Sequence, residues 1–176
     1  MDTIKNTVQA ENRKELMKMS KKYYLAYGSN LNIPQMRYRC PKARVVGTAK
    51  IKDYELLFKG SKTGSYLTIE PQKGATVPVA VWEVGESDEH NLDIYEGYPK
   101  FYYKREVKIR YKGINTGRSR TVKAFIYIMH EERKLGVPTG RYLRTCLDGY
   151  DSFGFDYDYI FTAYQKSKNS SERRDW

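Results

Sequence analysis

The sequence predicts an α+β fold with a barrel-like sheet and a few helices at its connections. Six segments carry the apolar pattern of strands, at residues 22–27, 43–58, 65–70, 77–84, 102–111 and 120–129. These strands follow one another in near succession and helical patterns are few, which favours this class over a doubly wound sheet. A length of 176 residues fits one domain with a single core.

Glycines mark the turns of the predicted sheet. Gly47 indicates a bend inside the second strand segment, and turns are predicted at 60–64, 74–75 and 113–117. These positions separate the strand patterns from one another.

Four helical pieces are predicted between or after the strands. Pro34 begins one turn that runs to Arg39. Ser87 is the expected N-cap of a second helix, which ends at Gly97. Two further helices, near 139–149 and 155–166, are separated by a break at Gly154.

The domain is predicted to span residues 22–165. Residues 1–21 lack a sustained apolar period and are expected to form a flexible leader. The basic, serine-rich segment 166–176 has the composition of a disordered tail. We expect neither end to carry chemistry.

The formal net charge of +11 raises the question of an acidic partner. In the middle of the chain the basic residues alternate with apolar ones, as in residues 103–110, which is typical of the solvent-exposed face of a strand. We therefore expect a solvated basic face and no nucleic-acid site. A non-catalytic basic module that binds an acidic or nucleic-acid partner is the alternative.

Several classes of protein and site are not indicated by the sequence. No apolar run reaches the ~20 residues of a membrane span, and the N terminus lacks a signal-peptide core, so we expect a cytoplasmic protein. Cys40 and Cys146 lie far apart and are expected to be thiols. His90 and His130 are isolated, so no metal site is predicted, and no glycine-rich phosphate loop occurs.

A loop that follows the first strand is the first candidate binding element. A strand that breaks into a glycine turn exposes successive backbone N–H groups, which hold a carboxylate or carbonyl oxygen well. An ordinary strand-to-turn transition is the alternative interpretation. The loop consists of Tyr27, Gly28, Ser29, Asn30 and Leu31.

Glu96 is the candidate acid–base group. It lies four residues after Leu92 on the predicted helix, so it shares the face that turns toward the sheet, and it sits at the negative end of that helix. Burial and the helix dipole should both raise the pKa of this carboxyl toward neutrality. A surface glutamate that ends a helix is the alternative. Phenolic hydroxyls that could bind a polar substrate are supplied by Tyr98, Tyr102, Tyr103 and Tyr142.

The ordered set of motifs resembles the gamma-glutamylcyclotransferase-like family over roughly residues 22–165. A lone Tyr-Gly-Ser-Asn run is weak evidence, but the same run followed in order by an acidic helix end and a late Pro-x-x-x-Tyr is much more specific. The matching pieces are residues 27–31, 39–43, 53–58, 96–99 with the following Tyr102 or Tyr103, and 138–142.

The resemblance implies a small mixed β-barrel with surrounding helices. It also implies an enzyme that closes the γ-glutamyl group of a small-molecule substrate to 5-oxoproline and releases an amine, without a cofactor. Glu96 would be the acid–base catalyst, and the 27–31 loop with Tyr102, Tyr103 and Tyr142 would bind the substrate. Which of the adjacent tyrosines faces the pocket depends on strand register. The identity of the amine, and whether the protein is a monomer or a homodimer, stay open.

Overall fold

The computed structural model describes residues 21–61 and 64–172, so most of the predicted leader lies outside the described residues. Five strands form the sheet: β1 (Lys22–Ala26), β2 (Arg44–Ser61), β3 (Gly64–Val84), β4 (Tyr102–Gly113) and β5 (Ser119–Met129). The helices are α1 (Ile33–Arg39), α2 (Glu86–Glu96), α3 (Gly140–Phe153) and α4 (Asp158–Glu172), with a short 3-10 turn at Ser29–Leu31.

The sheet is a closed barrel with the strand order β1-β3-β2-β4-β5. Neighbouring strands are antiparallel except β1 and β5, which close the barrel as a parallel pair. The pairing of β2 with β4 is brief and includes Gly47 opposite Gly113. Closure leaves no open sheet edge, and the mixed pairing confirms the predicted small mixed barrel.

The alternation predicted for residues 103–110 is present in β4. Ile109 and Tyr111 are buried in the barrel core, whereas Lys108, Arg110 and Lys112 are exposed. The strand period of two therefore separates the basic residues from the apolar ones, as expected for the solvated face of a sheet.

The strand β3 corrects one sequence prediction, because it runs through the turn expected at residues 74–75 instead of ending there. The register of β2 and β3 shifts between Lys52 and Tyr54, and Asp53 has a φ of 60°. The Asp53 carboxylate accepts a hydrogen bond from the Gly74 N–H at 2.9 Å. Gly74 is thus part of a β-bulge inside a continuous strand. A sequence pattern alone does not distinguish such a bulge from a turn.

The predicted stop signals of α2 and α3 agree with the structure, but the predicted start of α2 does not. Gly85, not Ser87, is the N-cap, and its N–H donates to the Asp88 carboxylate at 3.3 Å. Ser87 therefore lies within the first turn. Gly97 and Gly154 adopt the left-handed conformation after α2 and α3, each with a φ of 63°, as the predicted stop signals require.

The predicted disordered tail is wrong for residues 166–172, because α4 continues to Glu172. Ser167 is fully buried and donates a hydrogen bond to the Phe58 carbonyl at 3.2 Å, and Lys166 forms an ion pair with Glu55. Packing against β2 thus outweighs the polar composition of the segment. Residues 173–176 lie outside the described residues. Among the described helices, none has both the length and the apolar character needed to cross a bilayer.

The helix α3 packs directly against the 3-10 turn, and Gly149 makes this approach possible. A Cβ atom at Gly149 would lie 2.6 Å from the Leu31 Cβ and 2.9 Å from the Asn32 nitrogen. Leu31 ends the 3-10 turn and Asn32 is its C-cap, so the contact with α3 fixes the position of the 27–31 loop relative to the barrel.

We expect Gly149→Ala to lower the free energy of unfolding by ~1–3 kcal/mol, because the added methyl group overpacks the contact between α3 and the turn. Chemical denaturation measures the change. Gly140→Ala is the matched control in the same helix, since a Cβ there meets no atom within 4 Å. Equal stability of the two variants would contradict the assigned contact.

Candidate active site

The fold brings the two candidate segments together in space. The loop after β1 and the C-terminal end of α2 are separated by 66 positions between Asn30 and Glu96. The Asn30 Nδ2 nevertheless donates a hydrogen bond to the Glu96 Oε1 at 2.8 Å. The predicted binding loop and the predicted acid–base group thus face one site.

A cavity of about 290 Å³, including its open mouth, lies between these segments. Its polar side is formed by Gly28, Ser29, Asn30 and Glu96, and Leu67 of β3 closes it. The remaining wall consists of phenolic rings, from Tyr24, Tyr27, Tyr102, Tyr127 and Tyr142.

The side chain of Asn30 is held in one orientation by three hydrogen bonds. Its Nδ2 donates to the Tyr24 hydroxyl at 2.9 Å as well as to Glu96, and its Oδ1 accepts from the Arg39 Nη1 at 2.7 Å. Both amide hydrogens are used, so a flipped amide would face Arg39 with its NH₂ group and Glu96 with its oxygen. Arg39 therefore determines which end of the Asn30 amide meets the carboxyl.

Burial raises the pKa of the Glu96 carboxyl to about 7. The nearby Arg39 guanidinium and the Asn30 hydrogen bond both act in the opposite direction, but they do not cancel the effect of burial. The direction agrees with the prediction from the sequence. A carboxyl with a pKa near 7 can both accept and return a proton at neutral pH.

The 3-10 turn offers backbone donors to the same space. The first N–H groups of a helical turn have no partner inside it, and no described residue accepts a hydrogen bond from the N–H groups of Ser29 or Asn30. The Ser29 hydroxyl lies 3.1 Å from the Tyr95 hydroxyl. This turn can therefore hold an oxygen atom of a ligand.

Leu31 does not take the binding role predicted for it. Its N–H donates to the Gly28 carbonyl at 2.9 Å, which closes the turn, and its fully buried side chain packs against Gly149. The donor function of the loop therefore ends at Asn30.

Three of the tyrosines predicted at the site line the cavity. Tyr27 donates to the Tyr127 carbonyl at 2.6 Å. Tyr102 donates to the Leu67 carbonyl at 2.8 Å, and Tyr142 accepts from the Leu67 N–H at 3.1 Å. Tyr142 is the acceptor in that bond, and its own hydroxyl is turned toward Cys146: burial raises the pKa of the Cys146 thiol to about 12, and the hydrogen bond from Tyr142 acts in the opposite direction.

Tyr103 does not face the cavity, which corrects the prediction that included it. Successive side chains of a strand point to opposite faces, and the register of β4 turns Tyr102 inward. Tyr103 points outward, where its hydroxyl donates to the Glu131 carboxylate at 2.5 Å. Of these two adjacent tyrosines, Tyr102 is therefore the one that faces the cavity.

Sequence reasoning assigned no role to Tyr24, Arg39 and Tyr95. Arg39 stacks on the Tyr95 ring, with 3.6 Å between the guanidinium carbon and the ring centroid, and also donates to Gln35 Oε1 at 2.6 Å. The segment 39–43 was part of the recognised motif set, but the role of its arginine depends on how α1 packs beside α2. The apolar period of α1 does not reveal how this helix packs beside α2.

Comparison with known proteins places these features in one family. Residues 24–144 match the family model described as Gamma-glutamyl cyclotransferase, AIG2-like. A human (Homo sapiens) Gamma-glutamylcyclotransferase is 28% identical over 144 residues, covering 77% of this chain and 73% of the relative. The bovine (Bos taurus) Gamma-glutamylcyclotransferase is 29% identical over 161 residues, covering 87% of this chain and 80% of the relative.

The solved structures give the same result. A structure of a Gamma-glutamyl cyclotransferase superposes with a TM-score of 0.68 at 26% sequence identity, covering 84% of this chain and 86% of the other. The family-model match at residues 24–144 includes most of the barrel, the 27–31 loop and the end of α2, which carry the cavity described above. The chain therefore belongs to the gamma-glutamyl cyclotransferase, AIG2-like family.

Proposed function

We propose that this protein cyclises the γ-glutamyl group of a small-molecule amide to 5-oxoproline and releases the corresponding amine. The observation that carries the proposal is the partly buried Glu96 carboxyl, whose pKa burial raises to about 7, beside the N–H groups of the 3-10 turn that have no acceptor among the described residues. The relatives named Gamma-glutamylcyclotransferase support the same reaction.

The inner cavity would hold the glutamyl group. Ser29 and Asn30 lie in its wall, and their N–H groups, which have no acceptor among the described residues, suit carboxylate or carbonyl oxygens of the substrate. The phenolic rings around them exclude bulk water, which strengthens each of these hydrogen bonds.

Glu96 would move the proton in the reaction. Its carboxylate takes a proton from the substrate's α-ammonium group, and the resulting amine attacks the γ-carbonyl carbon to form the new C–N bond of the ring. The old C–N bond then breaks as Glu96 returns this proton to the departing nitrogen. The ring nitrogen loses its second surplus proton to the departing amine through the same carboxylate, so the amine leaves as an ammonium ion and the ring keeps one N–H. The nucleophile and the electrophile belong to one molecule, so the step needs no second substrate.

The test is a direct product assay. The purified protein is incubated with γ-glutamyl-alanine, γ-glutamyl-ε-lysine and glutathione, and 5-oxoproline is measured by chromatography and mass spectrometry. Formation of 5-oxoproline with an equal amount of released amine from at least one compound is expected. Hydrolysis to free glutamate, or no turnover of any γ-glutamyl compound, would overturn the proposal.

The pH dependence of kcat/KM should report the ionisation of Glu96. The base form is the carboxylate, so activity should rise with pH and level off above a midpoint near 7, the value to which burial raises the pKa. Steady-state rates between pH 5 and 8 measure this limb. A midpoint near 4.5, the ordinary value for a glutamate, would exclude Glu96 as the base.

A further inference from the structure

A second, outer pocket adjoins the inner cavity at Glu96. Its volume is about 770 Å³, including its open mouth, so it is considerably larger than the inner cavity of about 290 Å³. The two spaces share Ser29, Glu96, Tyr102 and Tyr142 in their walls. A ligand that fills the inner cavity can therefore extend past the Glu96 carboxyl into the outer pocket.

The walls that belong to the outer pocket alone are mostly apolar and aromatic. Tyr66 and Phe101 meet edge to face at 6.0 Å between ring centroids, and Tyr66 meets Tyr142 in the same way at 5.1 Å. At the rim, Ile94 is 68% exposed and Tyr95 is 45% exposed. Apolar surface left open beside a reactive group is a binding surface for an apolar ligand group.

Charge is scarce in the outer pocket. Of the described residues that line it, only Glu96 is an Asp, Glu, Lys, Arg or His. The described lining residues therefore include no cationic side chain that could pair with a carboxylate of the ligand. The Glu96 carboxyl already accepts a hydrogen bond from Asn30. Two cations next to its walls are stacked on aromatic rings, Arg39 on Tyr95 at 3.6 Å and Arg133 on Phe101 at 4.0 Å from the ring centroids. A charged ligand group that lies against the aromatic walls would lose hydration.

We propose that the outer pocket binds the departing amine and selects amines that carry an aromatic or branched apolar side chain. The inference rests on the proposed function. With the glutamyl group in the inner cavity, the γ-carbonyl lies beside Glu96, and the nitrogen whose C–N bond breaks points outward. The proton that Glu96 returns to this nitrogen completes the release, and the side chain of the amine lies against Tyr66, Ile94 and Phe101.

A panel of γ-L-glutamyl amino acids tests this selectivity. The departing amino acids are phenylalanine, leucine, alanine, aspartate and lysine linked through the α-amine, and 5-oxoproline formation is measured for each. All five share the α-carboxylate, so differences in kcat/KM report the side chain. The phenylalanine and leucine compounds should exceed the alanine compound by ~10-fold or more, since each buries several additional apolar carbons. The aspartate and lysine compounds should not exceed it.

A rim variant gives a second, independent readout. Ile94→Ser should lower the ratio of kcat/KM for the phenylalanine compound to that for the alanine compound by ~3–10-fold, because an apolar contact of the side chain is lost. The exposure of Ile94 makes the substitution compatible with folding. Ile114→Ser is the matched control, since Ile114 is 49% exposed in the turn between β4 and β5, away from both pockets.

The outcomes separate the two levels of the proposal. Turnover of the alanine, aspartate or lysine compound at least as fast as the phenylalanine compound would overturn the selectivity and leave the cyclising activity intact. An unchanged ratio in Ile94→Ser would exclude the rim from amine binding. Absence of 5-oxoproline with every compound would overturn the proposed function, and the inference with it.

Discussion

Glu96→Gln is expected to reduce 5-oxoproline formation by ~10²-fold or more, which is the contribution of a positioned general acid–base group. Glutamine has the same shape, and its amide oxygen can still accept the hydrogen bond from Asn30 Nδ2. It cannot take up a proton from the substrate's α-ammonium group. The variant thus removes proton transfer while it keeps the geometry, and the steady-state assay described above measures the loss.

The same variant should be more stable than the parent protein at alkaline pH, which distinguishes lost chemistry from lost folding. Burial raises the pKa of Glu96 from 4.5 to about 7, so folding favours the protonated form. The stability that this provides is fully present below pH ~4.5 and is lost as the pH rises through about 7. Above that pH the glutamine variant avoids the buried charge and gains up to roughly 3 kcal/mol in free energy of unfolding.

Glu86→Gln is the matched control for both readouts. Glu86 lies at the start of the same helix and is exposed, so the substitution removes one negative charge without touching the cavity. We expect activity close to that of the parent protein. Full turnover by Glu96→Gln, or a comparable loss in Glu86→Gln, would refute the role assigned to Glu96.

Arg39→Met is the second substitution with a large expected effect, although Arg39 does not touch the cavity. Its guanidinium lowers the pKa of Glu96 and donates to the Asn30 Oδ1. Removal of this charge lets burial raise the Glu96 pKa further, so the acidic limb of kcat/KM should move to higher pH by roughly half to one pH unit. At pH 7 the fraction of carboxylate falls accordingly.

The lost hydrogen bond adds to the electrostatic effect. Asn30 is buried, and without Arg39 its amide oxygen has no donor to fix the end that meets Glu96. We therefore expect a total decrease in kcat/KM at pH 7 of ~10-fold or more, since an unsatisfied buried polar atom and a misoriented amide both weaken the site. Arg39→Lys, which keeps the charge, should restore the position of the acidic limb but only part of the rate.

Arg37→Met provides the control on the same helix. Arg37 is exposed, and its removal changes the net charge of the protein by the same amount. Its pH profile should superimpose on that of the parent protein. An acidic limb that stays at the parent position in Arg39→Met would show that Arg39 acts on structure alone.

The fold was largely predictable from sequence because its determinants are local. Strand patterns, the stop signals Gly97 and Gly154, and the start of α1 depend on nearby residues, and all of them appear in the structure. The failures concern segments that distant contacts control. Residues 166–172 are helical because Ser167 is buried and donates a hydrogen bond to the Phe58 carbonyl, and β3 continues through Gly74 because Asp53 binds its N–H.

The candidate site was predictable only in part for the same reason. The position of Glu96 on its helix indicated burial and a raised pKa, but its meeting with Asn30 came from the family resemblance and not from periodicity. The choice of Tyr102 over Tyr103 required the register of β4 with β5. The role of Arg39 required the packing of α1 beside Tyr95 of α2, which no local pattern contains.

Direct titration of the Glu96 carboxyl tests the central claim most directly. Protein labelled with ¹³C in the glutamate side chains is titrated by NMR, and the Glu96 signal is assigned by its absence from the Glu96→Gln spectrum. A buried carboxyl that exchanges protons with a substrate at neutral pH should titrate with a midpoint of about 7. A midpoint near 4.5 would mean that the carboxyl is hydrated like a surface glutamate, and it would contradict the site described above.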